Sequence, residues 1–588
     1  MRRHTIVSVL AGAAGLVAVA ALAVPAHATS STNERNVTGS HQYTTVTGGS
    51  DPVTQRCSTD NRQQNETSLS IHPTNSNVMA AGANDYCTIP TIRDAWNGLY
   101  RSWDGGVTWN LTLIPGYPGD NSPAGLASPL HGLAGASGDP WDAFDNHGYL
   151  YVMGNAFNRT QPQNASVWVA TFGPDAAGHA GAVYLRTVLL ARGTPGANGL
   201  FNDKTALAVD NSGHHFDGTV YAAWSQFHGA RGNNEVDVAV SHDGGRTFSA
   251  PIKVSQTVGD SQFADVAVGP DGTATVVWRT FSDRTPKVDS VVAVRSTDGG
   301  ATWTRPATVA TFAPYDKSDV YGSPTAAAAA SSGPDGVDGE AAGGASRDCG
   351  DLALACQSGF TFYRDASQVR IAADSTGFHA VWNELKHPHA TGTTYSPGGY
   401  SRVVYSHSAN GVQWSAPVTV DQNAAIGHQT FPTVAAGGGS VTVGWNDSRN
   451  DACFSQERPA GNCPSAAGWV APANGSLDTY VKRMNETTGT WDAAATRVSS
   501  VSQNPNWEQF GGRLVPFFGD YITAAYGGGV TRIDWTDNRD VPAQPGSTDG
   551  NDVLGDPHDG GACTSVFSTC FDLTRGEDQN LWIADVGN

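Results

Sequence analysis

Four copies of one short turn constrain this chain more than any other feature: SWDGGVTW from Ser102, SHDGGRTF from Ser241, STDGGATW from Ser296 and the degenerate SHSANGVQW from Ser406. In the pattern Ser-x-Asp-x-Gly-x-Thr-aromatic the aspartate can accept hydrogen bonds from the turn's own backbone N–H groups, and glycine tolerates positive φ. The closing Trp or Phe is then free to pack between neighbouring sheets. Repetition at sheet-sized intervals predicts one small sheet built several times over.

A longer phrase repeats in front of these turns: a polar start, a short Ala/Val strand, a turn with Asp, Asn or Gly, and a second strand often ending in Trp. Its seven copies begin near Glu66, Asp139, Asp203, Phe263, Gln368, Thr430 and Asp520. The apolar runs are short, rich in Val, Ala and aromatics, and bounded by Gly, Pro, Asp and Asn, which reads as strands. A third strand leads into each turn and a fourth often follows, as at 250–254 and 416–420. The class is therefore all-β, a propeller of four-stranded antiparallel blades. Seven copies predict seven blades. The last sheet, ending at 581–585, is one strand short, and the early segment 43–46 is expected to complete it and cover an open edge.

The turns resemble the Asp-boxes, or BNR repeats, of the sialidase-like β-propellers. The resemblance covers most of the chain after its leader and implies six blades, the alternative to seven. Similar boxes occur in sialidases, other glycosidases and non-catalytic propellers, so the resemblance bears on fold more than on reaction. Sialidases themselves resemble one another in a first-blade arginine, an arginine triad, a Tyr–Glu nucleophile pair and an Asp acid. Here the first-blade start is Glu66-Thr-Ser-Leu, without an arginine, and local sequence pairs neither Tyr521 nor Tyr526 with a glutamate.

Residues 1–28 read as a secretory signal, with Arg2 and Arg3, an apolar stretch from Ile6 to Val24, and Ala26-His-Ala28 as a cleavage site. The expectation is a secreted, extracellular protein with one propeller domain over 29–588, interrupted by an Ala/Gly-rich insert near 322–348. No later segment is apolar enough for a spanning helix. Eight cysteines form four local pairs, expected as disulfides in an oxidising compartment: Cys57 with Cys87, Cys349 with Cys356, Cys453 with Cys463, and Cys563 with Cys570. The net charge of −20 argues against nucleic acid as a partner. Oligomeric state is not legible.

Geometry sorts the remaining candidates. First-strand starts and second-strand ends lie at one end of each blade, and the repeated turns lie at the other, so the turn aspartates are scaffold. The first end collects Glu66, Asp139, Asp203, Lys204, Asp265, Arg370 and Asp520 with Asn84, Arg279, Glu384, Trp445, Asp447, Arg449, Trp535, Asp537 and Arg539. Carboxylates, arginines and aromatics on one mouth suit a carbohydrate site. Asp139, Asp520 and Glu66 are the catalytic candidates. Arg279, Arg370, Glu384, Asp447, Arg449, Asp537, Arg539, Trp445 and Trp535 are candidates for binding substrate. In the near-repeat WNDSR (445–449) and WTDNR (535–539) each arginine either pairs with the aspartate two residues before it or points inward to a substrate carboxylate.

Three functions fit. The first is a glycoside hydrolase acting on glycans or polysaccharide through a carboxylate pair, and the second a non-catalytic carbohydrate-binding or adhesion propeller. A polysaccharide lyase using His72, His131 or His428 with a tyrosine is the third. None requires a cofactor. No residue is assigned to a metal, although a ring of acids is compatible with calcium.

Overall fold

The computed structural model of the chain describes residues 33–587 apart from 59–62, 90–93, 159–163, 197–198, 229–233, 257–258, 283–287, 316–362, 364, 387–398, 423, 425, 457–459, 462, 465–469, 472–474, 506–516, 518 and 542–577. The leader, the 322–348 insert and the Cys349, Cys356, Cys563 and Cys570 pairs lie outside these residues.

Among the described residues the architecture is all-β, with four-stranded antiparallel units repeated along the chain. The first strands of the units are Gln64–His72, Ala136–Phe144, Leu200–Val209, Ser261–Val268, Val369–Asp374, Gln429–Gly437 and Thr523–Gly527. Each pairs through a hairpin with a second strand, and third and fourth strands follow outward. The second and third units are joined by one parallel bridge, from Phe201 in the first strand of the third to Ala165 in the third strand of the second. Neighbouring first strands pack on one another in chain order, and the last, Thr523–Gly527, packs on the first, Gln64–His72.

The core lies between units rather than within them. One apolar cluster joins Tyr151, Val167 and Trp224 of the second and third units, another joins Tyr221, Val238 and Trp278 of the third and fourth, and the pattern continues around the chain. Each unit contributes one fully buried tryptophan: Trp96, Trp168, Trp224, Trp278, Trp382, Trp445 and Trp535. A sheet of alternating residues with two apolar faces can bury both only by stacking against a neighbour on each side.

The repeated turns behave as their residue types dictate. Asp104 Oδ1 accepts from the N–H groups of Val107 (3.0 Å) and Thr108 (2.9 Å), and Oδ2 accepts from the Thr108 hydroxyl (2.6 Å). Asp243 and Asp298 repeat the arrangement with Thr247 and Thr302, and Asn410 keeps only the backbone part of it. Gly105 and Gly106 sit at φ of 79° and 85°, where an L side chain would be strained. Trp109, Phe248, Trp303 and Trp414 each join a cluster that includes the preceding unit.

Closure of the last sheet differs from the expectation. The strand that completes it is Arg35–Asn36, which pairs with Asn580–Val586 through Arg35 opposite Ile583 and Asn36 opposite Trp582. Arg35 is fixed there by Asp585, which also pairs with Arg532. Tyr43 instead bridges Leu111 in the outermost strand of the first unit, and its hydroxyl donates to Asp85. The Cys57–Cys87 disulfide is present and ties the short helix Pro52–Cys57 to the second strand Asn75–Ile89. Cys453 is disulfide-bonded as well, while the Cys463 side chain lies outside the described part. No helix among the described residues is long and apolar enough to cross a membrane.

Candidate active site

Five first strands carry the same backbone irregularity. Two residues of the first strand face one of the second at Glu66-Thr67, Asp139-Pro140, Lys204-Thr205, Phe263-Ala264 and Phe431-Pro432, and the pairing shifts register there. The leading residue of each bulge has positive φ: 55° at Glu66, 54° at Asp139, 54° at Lys204, 57° at Phe263 and 50° at Phe431. None is glycine. A left-handed conformation costs a residue with a Cβ on the order of 1–2 kcal/mol. Bulges of this kind re-aim side chains and recur beside functional sites. Proline is tolerated at positions 140 and 432 because the bulge breaks the hydrogen-bond ladder.

Three of these re-aimed side chains, Glu66, Asp139 and Lys204, form one buried charged group with Asp203 and Asp520. Lys204 Nζ binds the Asp520 carboxylate directly and lies 3.9 Å from Asp203 Oδ2. Asp139 Oδ2 accepts from the Lys204 backbone N–H at 2.8 Å. Asn84 links two carboxyl groups, donating to Glu66 Oε2 at 2.8 Å while accepting from the Asp139 backbone N–H at 2.9 Å. Asn155 donates to both Asp139 and Asp203. Gln368 Nε2 donates to the Asp520 carbonyl at 2.8 Å. Gly519, at φ 92°, lets the last unit approach the first: a Cβ there would stand 2.6 Å from the Glu66 nitrogen.

The carboxyl groups of Glu66 and Asp203 lie beside that of Asp139. Carboxyl groups buried side by side titrate as a coupled set rather than one by one. Burial alone would push Asp139 upward, but the Lys204 ammonium and the hydrogen bonds from Asp203 and Glu66 outweigh it and hold Asp139 below the usual carboxylate range.

Arg370 adjoins this group. Its guanidinium lies 4.6 Å from the Trp141 ring centroid and 4.7 Å from that of Tyr521, and those two rings meet edge to face. Nε and Nη2 are buried without a hydrogen-bond partner. Burial lowers the Arg370 pKa, opposed by Asp265, Tyr521, Asp520 and Glu66. Asp265 is pushed up to about 6 by burial, against the pull of Arg370 and the backbone N–H groups of Ile371 and Val266. The Tyr521 hydroxyl is raised well above its ordinary value by burial and by Glu66 and Asp139. Tyr521 and a glutamate thus share this neighbourhood although they belong to opposite ends of the chain.

Of the twelve catalytic and binding candidates, the structure brings together Glu66, Asp139, Asp520 and Arg370. The others occupy separate local clamps. Arg279 is fully buried, pairs with Asp289 at 2.7 Å, donates to the Ser367 carbonyl and stacks 4.1 Å from Phe281. Arg449 pairs with Asp447 and Asp421 over Tyr480. Arg539 pairs with Asp537 and Glu34 over Trp582. Of the two readings of WNDSR and WTDNR, the local pair is therefore the one seen.

The reason is strand geometry. Residues two apart share a face, so the Trp445 indole N–H reaches Asp447 at 2.8 Å, that of Trp535 reaches Asp537 at 2.9 Å and that of Trp382 reaches Glu384 at 3.3 Å. A cation two residues further on, Arg449, Arg539 or Lys386, closes the clamp. Trp445 and Trp535 are fully buried between sheets and offer no face to a sugar. Sequence reasoning had no role for Trp141, Asn155 or Gln368, because only the folded inner strands bring them to the charged group.

No family model and no curated protein matches this chain. Among solved structures it is similar to a Hadza microbial sialidase at 12% identity and a TM-score of 0.36, over 78% of this chain and 70% of that one. A Trypanosoma rangeli sialidase in complex with the inhibitor DANA gives 14% and 0.34, over 66% and 53%. A Penicillium chrysogenum alpha-L-arabinanase complexed with arabinobiose gives 10% and 0.35, over 73% and 99%. The chain thus spans about half the length of the Trypanosoma protein.

Proposed function

We propose that the protein is an exported glycoside hydrolase on a seven-bladed, ring-closed propeller, acting on glycans or polysaccharide at the charged group where the first strands meet. The observation that carries this reading is the buried convergence of Glu66, Asp139 and Asp520 around Lys204, with Arg370 beside them holding two unused N–H donors. Glycosidic cleavage needs one carboxyl that keeps a proton for the leaving oxygen and one that stays ionised as base or nucleophile. Asp520, bound to the Lys204 ammonium, suits the ionised role. Glu66, which accepts from Asn84 beside Asp139, is the candidate for the acid role. The free donors of Arg370 fit a carboxylate, which favours acidic sugars. The chemistry needs no cofactor, and calcium is left to the experiment.

A second reading, a propeller that binds carbohydrate without cleaving it, draws on the same group: Asp139, Asp520 and Lys204 already satisfy one another and are more than nine-tenths buried. Incubation of the mature protein with acidic and neutral glycans, with and without calcium, followed by mass spectrometry of products, separates the two. Hydrolysis is expected, with turnover lost at least 100-fold in Asp520→Asn and Asp139→Asn while glycan binding survives. Intact substrates throughout, or variants that change only affinity, would establish the binding propeller.

A further inference from the structure

A second polar cluster sits at the opposite end of the same strand that carries Arg370. Asp374 ends the first strand Val369–Asp374, and His379 follows the turn in the second strand Gly377–Lys386. Glu486 comes from the neighbouring unit, directly after its third strand Asp478–Asn485. His379 Nε2 is 3.1 Å from Asp374 Oδ1 and 3.5 Å from Glu486 Oε1. The Thr376 hydroxyl stands 2.9 Å from each of those oxygens and 3.3 Å from Nε2. The His379, Asp374 and Glu486 side chains are only 1%, 8% and 6% exposed.

Three features point beyond a hydrogen-bonded knot. The two carboxyl groups face each other across the unit boundary, with ligand atoms of all three side chains within 4.8 Å of one another, which repels unless a cation or a proton lies between them. Asp374 Oδ2 is buried and has no hydrogen-bond partner. His379 Nδ1 is 2.8 Å from the Tyr405 hydroxyl, the outer contact that fixes a ligating imidazole with its Nε2 lone pair directed at a metal. Four-coordinate zinc with bonds of about 2.0–2.1 Å holds its ligand atoms about 3.3 Å apart, and the observed 3.1 and 3.5 Å separations straddle that value.

We propose that Asp374, His379 and Glu486 bind a divalent transition-metal ion, zinc in the first instance, with Thr376 Oγ1 or water as the fourth ligand, and that the ion staples the fifth unit to the sixth. One imidazole with two carboxylates selects zinc over calcium or magnesium, which prefer all-oxygen shells. Thr376 is exposed, so the site has an entry path.

The test uses the mature protein stripped with a chelator and titrated with zinc chloride in a calorimeter, then with cobalt chloride as a spectroscopic stand-in. The expected result is one zinc per chain, a rise in Tm on zinc addition, and the intense visible absorption of four-coordinate cobalt. Glu486→Gln should weaken zinc at least tenfold and remove the cobalt band, and its metal-free Tm reports whether the variant folds. His131→Gln, remote from the cluster, should change neither. If the stripped wild type takes up no stoichiometric zinc, or if Glu486→Gln keeps the cobalt band, the cluster is a hydrogen-bonded knot and the proposal fails. Both readouts are independent of glycan turnover.

Discussion

The carboxylates at the two ends of the units do opposite work. At the turn end Asp104, Asp243 and Asp298 stand in water, and each is saturated by its own turn within four residues. At the other end Glu66, Asp139, Asp203 and Asp520 are buried and depend on groups from other units, Lys204 and Asp520 being 316 residues apart. The turn end repeats both its backbone and its side chains. The inner end repeats only the backbone: the same left-handed bulge presents Glu66, Asp139, Lys204, Phe263 and Phe431. Where a repeat protein keeps a conformation but varies the residue that occupies it, the conformation is a mount and the residue is the function.

The sharpest way to break this contrast is to remove the central cation. Lys204→Met leaves Asp520, Asp139 and Asp203 buried without their counter-charge and should cost about 3–5 kcal/mol, read as a lower urea midpoint. Adding Asp520→Asn to that variant should recover part of the loss, whereas additive losses would show that the two residues do not act as a pair.

A pH-dependent effect comes next. Asp534 is pushed up to about 8 by burial and by the nearby Asp142, against hydrogen bonds from Thr67 and Thr523. Its folded pKa lies above the unfolded value, so the unfolded chain releases this proton first. Stability from the buried acid is full below about pH 4 and is lost as pH rises toward 8. Asp534→Asn, which stays neutral, should therefore gain about 2–4 kcal/mol over wild type at pH 8 and nothing near pH 4. Melts at the two pH values check it, and an equal shift at both would assign the effect to packing.

The smallest effect belongs to the turns. Burial pushes Asp243 upward, but hydrogen bonds from Thr247, Ser241 and the Arg246 backbone together outweigh it and hold Asp243 at about 2, so its turn stays intact at every ordinary pH. Asp243→Ala should cost about 1 kcal/mol and leave glycan turnover unchanged. A large loss of turnover would contradict the scaffold role.

The sequence was most readable where interactions are short. The turns, the hairpins beginning near Glu66 through Asp520, and the Cys57–Cys87 bridge all follow from residues within about 30 positions of one another. The clamps of Arg449 and Arg539 were readable only as one of two options, and the pairing of each arginine with the aspartate two residues before it is what the fold decides. What the sequence could not supply were pairings between distant units. Nothing near Lys204 announces Asp520, nothing near Tyr521 announces Glu66, and Arg35 is no better a strand than Tyr43 until Asp585 and Arg532 are folded beside it.

The contact between Arg35 and Asp585 also sets a clock. It joins residues 550 positions apart, so the last sheet cannot gain its outer strand until the chain has been made through Asp585, and until then that edge is unpaired. An unpaired strand edge invites aggregation for as long as the pairing is missing.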